Sequence, residues 1–361
     1  MNNSSVKIGI IGCGRWGINH VKTAYNLLGE NLTGVFDSNP KASAKVSEIS
    51  QSIPFTTNKN DVIKNSDING VIIATPAETH FELAKECLEN EKHVLVEKPI
   101  TLKSDEAKIL VELAKSKNLQ IMVGHVLLYH PAIRMIKKYV SEKIIGNLQY
   151  VYSNRLNLGA LRSEENVLWS FAPHDISIIQ FLTGANPIKI NSQGANFLQK
   201  NIEDTTMTYL KYPNNVHAHI FVSWLHPFKE HRLVVIGDRG MIVFEDSLSK
   251  DKLRFYPKGF AKTEKGIEKF EGDFETVPFE NLQPLAEEHK HFYDCIIHNK
   301  TPLTDGIPSD LQGYFISEYI LDKNKKVEFK DNNSLRMSIE SDVKDYFNAR
   351  EQSFNQIDEI T

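Results

Sequence analysis

Two side chains of this 361-residue sequence stand out as candidates to move a proton. Lys98 ends the apolar run "HVLVEKPIT" (residues 93–101), and His174 lies inside "LWSFAPHDISIIQFL" (residues 168–182). A lysine against a buried wall has its charged form disfavoured, so it can transfer a proton or polarise a substrate oxygen. A histidine near neutrality is a natural acceptor of a hydroxyl proton. Pro99 fixes the backbone after Lys98 and biases it towards an extended conformation. Alone, a lysine at a strand exit is usually a solvated charge and a helical histidine a packing residue. The elements that present them decide.

The first third alternates apolar runs ("VKIGII", "LTGVF", "GVIIATP", "HVLVEKP", "QIMVGH") with amphipathic segments such as "AETHFELAKECLEN" and "SDEAKILVELAKSKN". Val/Ile-rich runs without polar alternation suit a parallel sheet covered on both faces by helices. Gly12, Gly14 and Gly17 stand in a G-x-G-x-x-G frame after the first run and at a helix start. Glycine there permits a tight turn, close approach to a pyrophosphate and helix-on-strand packing, with the helix N-terminus facing the anion. Asp37 directly follows "LTGVF", where a carboxylate accepts hydrogen bonds from both ribose hydroxyls and repels a 2′-phosphate. Its neighbours Ser38 and Asn39 supply no cation, so the pattern favours NAD over NADP. Arg15 and Trp16 are placed to reach the phosphates and cover the rings, although a packed Trp16 fits as well. Cys13 reads as a small packing residue rather than a nucleophile. Thr75 and Pro76 follow the third long run at its carboxyl end and should line the cofactor; His80 fits there or on the helix surface. Lys98 emerges one strand further along the same edge, where a nicotinamide would lie.

After about residue 145 the texture changes to polar/apolar alternation, as in "NLQYVYSNRLNLG" and "NVHAHIFVSWL". That pattern suits an antiparallel sheet with one face on a core. "VVIGDRGMIVFED" reads as a hairpin turning near Asp238 to Gly240, and the His174 segment as a helix ended by Gly184. The expected division is 1–125 for a Rossmann domain, 126–330 for substrate binding and oligomerisation, and 331–361 for a polar tail. Lys plus Arg number 42 against 46 Asp plus Glu, a net charge of -4 that offers no reason to expect nucleic acid or an anionic membrane as partner. No apolar stretch suits a bilayer span, the start lacks a secretory pattern, and three scattered cysteines fit a reducing compartment. The expected location is cytoplasmic. His217, His219, His226 and His231 lack the carboxylate or Cys spacing of a metal site, so no metal is expected.

"GIIGCGRWG", "ATPAETH", "VEKP" and "PHDIS" resemble the glucose-fructose oxidoreductase / inositol dehydrogenase family, Gfo/Idh/MocA, over most of residues 6 to 325. The resemblance implies a Rossmann domain followed by an α/β domain on a large, mainly antiparallel open sheet. It makes Glu97, Lys98 and Pro99 the signature tripeptide, with Lys98 at the nicotinamide and His174 as the other catalytic residue. Glu97 and His125, at strand ends of the same edge, join the expected cofactor contacts. Many members carry an aspartate four residues before the histidine; here Ser170 stands there, leaving proton transfer to Lys98 and His174, with the base unassigned. "NVLWSFAPHDISII" is most similar to the branch acting on nucleotide-linked amino sugars, such as the UDP-N-acetylglucosamine and UDP-N-acetylglucosaminuronate 3-dehydrogenases. Arg155 and Arg162 would suit a diphosphate, because guanidinium matches phosphate geometry. Asn157, Asn166 and Trp169 are candidate sugar contacts, with structural roles equally open. The implied activity is NAD-dependent oxidation of a sugar hydroxyl, C3 of a nucleotide-linked amino sugar, by a homodimer or homotetramer. Enzymes that cycle a tightly bound NAD and non-catalytic sugar sensors share the fold and are the alternatives.

Overall fold

The computed structural model describes residues 6–159 and 166–304. Its first half alternates β1 (Ile8–Ile11), α1 (Gly17–Leu28), β2 (Leu32–Phe36), α2 (Ala42–Ile49), β3 (Phe55–Thr56), α3 (Asn60–Ile63), β4 (Gly70–Ile73), α4 (His80–Glu89), β5 (His93–Glu97), α5 (Ser104–Ser116) and β6 (Ile121–Gly124). The strands form one parallel sheet in the order β3-β2-β1-β4-β5-β6. The missing polar alternation has a direct cause, since successive strand residues bury into opposite cores. Ile8, Ile10, Ile72, Leu95 and Met122 enter one core, and Ile11, Val71, Ile73, Val94, Val96 and Val123 the other. Each such side chain stabilises the fold by roughly 1.5–3 kcal/mol. The strand order reverses between β1 and β4, so a ligand crevice opens at their carboxyl ends.

The second half contains α6 (Pro131–Ser141), β7 (Leu148–Leu156), α7 (Val167–Thr183), β8 (Lys189–Ala195), β9 (Thr205–Lys211), β10 (His217–Ser223), β11 (Glu230–Gly237), β12 (Met241–Glu245), β13 (Leu253–Tyr256), the separate hairpin β14 (Gly259–Thr263) and β15 (Gly266–Phe270), β16 (Glu275–Thr276) and α8 (Pro284–His298). Eight strands form a sheet in the order β16-β13-β12-β11-β7-β10-β9-β8. Among the described residues, only the β7–β10 pair of this sheet is parallel. Alternation follows from one-sided burial: Ala218, Ile220 and Val222 of β10 are buried beside α7, while His217, His219 and Phe221 are partly exposed. On that open face the hydroxyls of Tyr150 and Tyr209 bond to His219 and His217, and Tyr152 stacks on His219. Among the described residues no His, Cys, Asp or Glu cluster could hold a metal ion.

Asn166 caps α7, accepting the Trp169 amide at 3.2 Å, and Gly184 ends it in the left-handed region at φ 65°. The turn between β11 and β12 is closed by Gly237 N–H donating to Gly240 O at 2.9 Å. α8 follows the second sheet in sequence yet packs on α1 of the first half. Thr304 beyond it bonds Val123 through its carbonyl and its hydroxyl, each at 2.8 Å. A division at residue 125 therefore puts α8 with the second unit although it also builds the first. Among the described residues no helix is long and apolar enough to cross a membrane. The expected tail, 331–361, lies outside the described residues.

Candidate active site

The three glycines do different work. A Cβ at Gly17 would sit 2.1 Å from the Gly12 carbonyl oxygen, and one at Gly12, whose φ is +99°, would sit 2.7 Å from the Ala74 carbonyl oxygen. The loop itself forbids side chains at both. Gly14 has nothing within 4 Å of such a position, which leaves open space beside the loop. No side chain caps the N-terminus of α1, where the Ile18 amide donates to the Gly14 carbonyl at 3.2 Å and the Asn19 amide to the Trp16 carbonyl at 2.9 Å. Asp37 is held against the loop by the Cys13 amide at 2.7 Å and the Asn39 amide at 2.8 Å. Each carboxylate oxygen still has capacity for a hydroxyl donor. Ser38 is exposed just beyond it, and Arg15 is exposed on the loop. Burial, then the Asp37 charge, pushes the buried Cys13 thiol up to about 12, which fits packing and not nucleophilic chemistry.

Thr75 and Pro76 extend from β4 at the crevice, with Thr79 Oγ1 donating to Thr75 Oγ1 at 2.7 Å. His80 is buried, so it neither belongs to the helix surface nor stands open to a ligand. Its ring lies 2.9 Å from the Thr75 carbonyl and 2.7 Å from the Pro99 carbonyl, tying together the two loops that flank the crevice. The Lys98–Pro99 peptide is cis.

Glu97 turns inward rather than out to solvent. Trp16 Nε1–H donates to Glu97 Oε1 at 2.6 Å, His20 Nε2 lies 2.9 Å from the same oxygen, and the Lys98 amide donates to Oε2 at 3.2 Å. Burial would push this carboxyl up, yet hydrogen bonds from His20 and Trp16 and the Lys98 charge hold it below its ordinary value. His20 continues to His289 at 2.8 Å, and His289 to the Tyr293 hydroxyl at 3.0 Å. Sequence reading did not single out His20, His289, Tyr293 or Glu288.

Lys98 is half-buried at the strand tip, and His174 faces it from α7 closely enough to feel its charge. Burial, then Lys98, Arg155, His125 and His231, hold the His174 imidazole well below its ordinary value, so it is neutral near pH 7. Its Nδ1 is buried with no hydrogen-bond partner among the described residues. Pro173, immediately before it, has no N–H to give the preceding helical turn. His125, at the end of β6, lies on the same side.

Arg155 is committed differently from the sequence expectation. Its Nε donates to Asp175 Oδ2 at 2.7 Å and its Nη2 to Asp175 Oδ1 at 3.1 Å, while Ser153 Oγ donates to Oδ1 at 2.5 Å. The fork that would grip a diphosphate is occupied, and Arg155 instead places its charge beside His174. Asn166 is likewise engaged: besides its cap it donates to Glu203 Oε2 at 2.7 Å. Asn157 is half-buried, with its amide donating to the Ser223 carbonyl at 3.1 Å, and Trp169 is half-buried on the first turn of α7. Arg162 lies outside the described residues.

A doubly wound parallel sheet with a glycine loop after β1 and an oriented carboxylate after β2 defines a dinucleotide-binding fold. The chain belongs to the Gfo/Idh/MocA family: residues 6–125 match the model described as "Oxidoreductase family, NAD-binding Rossmann fold", and residues 133–243 match the GFO/IDH/MocA C-terminal domain. NAD is its cofactor. The chain is 28% identical over 304 residues to UDP-N-acetylglucosamine 3-dehydrogenase of Acidithiobacillus ferrooxidans, covering 84% of this chain and 92% of that protein. It is 25% identical to scyllo-inositol 2-dehydrogenase (NAD(+)) of Bacillus subtilis, covering 94% and 97%. The solved UDP-N-acetylglucosamine 3-dehydrogenase GnnA from Acidithiobacillus ferrooxidans shares the fold, with a TM-score of 0.74 at 23% identity over 87% of this chain and 96% of that one.

The open space at Gly14 and the oriented Asp37 carboxylate fit NAD. The glycine loop, with its open side at Gly14, would hold its pyrophosphate, and Asp37 its adenosine ribose. Bound there, NAD supplies a two-electron acceptor for an alcohol carbon.

Proposed function

We propose that this protein is an NAD-dependent dehydrogenase that oxidises a secondary hydroxyl of a sugar, C3 of a nucleotide-linked amino sugar. The observation that carries the reading is Lys98, half-buried at the carboxyl edge of the nucleotide sheet where its amide is held by Glu97, the carboxylate that also binds Trp16 of the glycine loop. The named activity of the Acidithiobacillus relative supports the substrate class.

In this reading the substrate hydroxyl lies between the two side chains. The His174 imidazole, kept neutral first by burial, accepts the proton. Lys98 donates a hydrogen bond to the oxygen as charge develops on it. Burial first, then the charges of Lys98 and of Arg155 pinned by Asp175, keep His174 unprotonated before substrate arrives. With Arg155 engaged, Arg162 is the remaining candidate for the diphosphate. The same reading has the protein act in the cytoplasm as a homodimer or homotetramer joined through the open sheet face; a monomeric mass in light scattering would count against that assembly.

The test is a panel of UDP-, dTDP- and GDP-sugars and free polyols with NAD and with NADP, followed by nicotinamide absorbance. Net reduction with a UDP-amino sugar and NAD supports the reading. Net reduction only with free polyols would overturn the substrate class, and product without net reduction would replace dehydrogenation by a cycling reaction.

A further inference from the structure

Four side chains from three distant stretches make one unbroken run of hydrogen bonds behind the candidate site. Glu97 Oε1 meets His20 Nε2 at 2.9 Å, His20 Nδ1 meets His289 Nε2 at 2.8 Å, and His289 Nδ1 meets the Tyr293 hydroxyl at 3.0 Å. His20, His289 and Tyr293 are fully buried, so water cannot repair a mismatch. Trp16 adds an indole N–H, which can only donate, to the same Glu97 oxygen at 2.6 Å.

The direction of the run follows from counting donors. If Glu97 is an anion, it accepts from His20 Nε2–H; His20 Nδ1 then accepts from His289 Nε2–H, and His289 Nδ1 accepts from the Tyr293 O–H. Every bond in the run then has one donor and one acceptor. If Glu97 carries the proton, each bond reverses and the Tyr293 hydroxyl hydrogen is left pointing into the core with no acceptor among the described residues. Buried polar groups without partners are expensive, so the first arrangement holds.

We propose that Tyr293 and His289 of α8, acting through His20 of α1, are positioning residues for the Glu97–Lys98 strand tip: their aligned hydrogen bonds keep a carboxylate anion directly behind Lys98. The anion takes the Lys98 amide at 3.2 Å and draws the glycine loop in through Trp16, so one buried charge orients both sides of the cofactor crevice. The proposal rests on the dehydrogenase reading for its consequence in catalysis, but the alignment itself does not.

The groups facing Glu97 are His20 from α1, His289 and Glu288 from α8, Lys98 from its own strand tip and the non-titrating Trp16 indole. Glu288 is fully buried, and neither carboxyl oxygen has a hydrogen-bond partner among the described residues. Burial, then the charge on Glu97, raises it well above its ordinary value, so it stays neutral. His289 is held well below its ordinary value, chiefly by burial, and it too stays neutral. Of the two buried carboxyls it is therefore Glu97 that carries the negative charge.

The experiment reads Glu97 in the full chain without cofactor or substrate. The indole 15N–1H resonance of Trp16, assigned by its loss in Trp16→Phe, is followed from pH 8 down to about pH 5, the upper edge of ordinary carboxylate titration. In the wild type it should not move. Tyr293→Phe removes only the terminal hydroxyl, and His289→Leu removes the donor to His20; each should bring a Trp16 midpoint into the window, an upward shift of about one pH unit or more. His289→Gln, which restores an N–H donor, should reverse part of the shift. A purely structural role would lower melting temperature without moving this resonance. Flat Trp16 titrations in both Tyr293→Phe and His289→Leu would overturn the proposal, and should the Leu variant not fold, the Phe variant decides alone. Because no substrate is involved, a negative result here is separate from a failure of the dehydrogenase reading.

Discussion

Replacing Asp175 with Asn removes charge from a carboxylate that is 2% exposed and accepts three hydrogen bonds, from Ser153 Oγ and from Nε and Nη2 of Arg155. The Arg155 side chain is 13% exposed, so little water is at hand to replace the lost partner. Asn retains one acceptor oxygen but turns an amide N–H towards a donor. Breaking a buried pair from one side costs about 3–5 kcal/mol; the partial access of Arg155 favours the lower end, about 3 kcal/mol. At roughly 2–4 °C per kcal/mol for a unit of this size, the melting temperature should fall by about 6–12 °C. Differential scanning calorimetry measures this, with Arg155→Met/Asp175→Leu as the companion variant. Removing both charges leaves neither one stranded, so that double variant should recover most of the loss. A melting temperature for Asp175→Asn within about 2 °C of wild type would refute the reasoning and return Arg155 to the solvent-facing anion binder that its sequence position suggested.

Other outcomes follow from the same geometry. Asp37→Ala removes an acceptor already oriented by two amides; at about 1.5–3 kcal/mol for charge-assisted hydrogen bonds, the Kd for NAD should rise roughly 10- to 100-fold in a fluorescence titration. Gly14→Ala meets open space and should keep its melting temperature while weakening NAD binding, whereas Gly17→Ala strikes the Gly12 carbonyl and should fail to fold to a stable state. Glu288→Gln should stabilise the protein increasingly as pH rises. The Glu288 carboxyl has its folded pKa raised above its ordinary value of 4.5, so its contribution is fully present below that value and is lost as pH climbs towards the folded pKa. The melting-temperature gap between Glu288→Gln and wild type should therefore widen above pH 4.5, and a gap independent of pH would contradict a neutral Glu288.

The fold was legible because its signals are local. Unbroken Val/Ile runs mark two-sided burial, polar alternation marks a sheet covered on one face, and Gly184 ends its helix in the one conformation glycine adopts freely. The nucleotide-binding fold was legible for the same reason. What stayed hidden depends on distance along the chain. His289 and Tyr293 share a face of α8 by their i, i+4 spacing, but their partner His20 is 269 residues from His289, and no periodicity announces that α8 returns to α1. Arg155 was read as open because its counter-ion lies across a strand-to-helix connection. Yet Ser153 and Arg155, two apart on β7, point to the face that α7 covers, and Asp175 stands next to His174 in the sequence. Asn166 carried a recognisable signal, an Asn just before an apolar helical run, that was outweighed by its closeness to the proposed sugar pocket.

The central claim is that Lys98 meets the reacting hydroxyl at the cofactor edge opposite His174. The most direct test is Lys98→Ala with the best substrate and NAD, measuring turnover by nicotinamide absorbance and NAD affinity in the same preparation. The account expects kcat to fall by about 10²–10⁴-fold with the NAD Kd little changed. Wild-type turnover in that variant would contradict it.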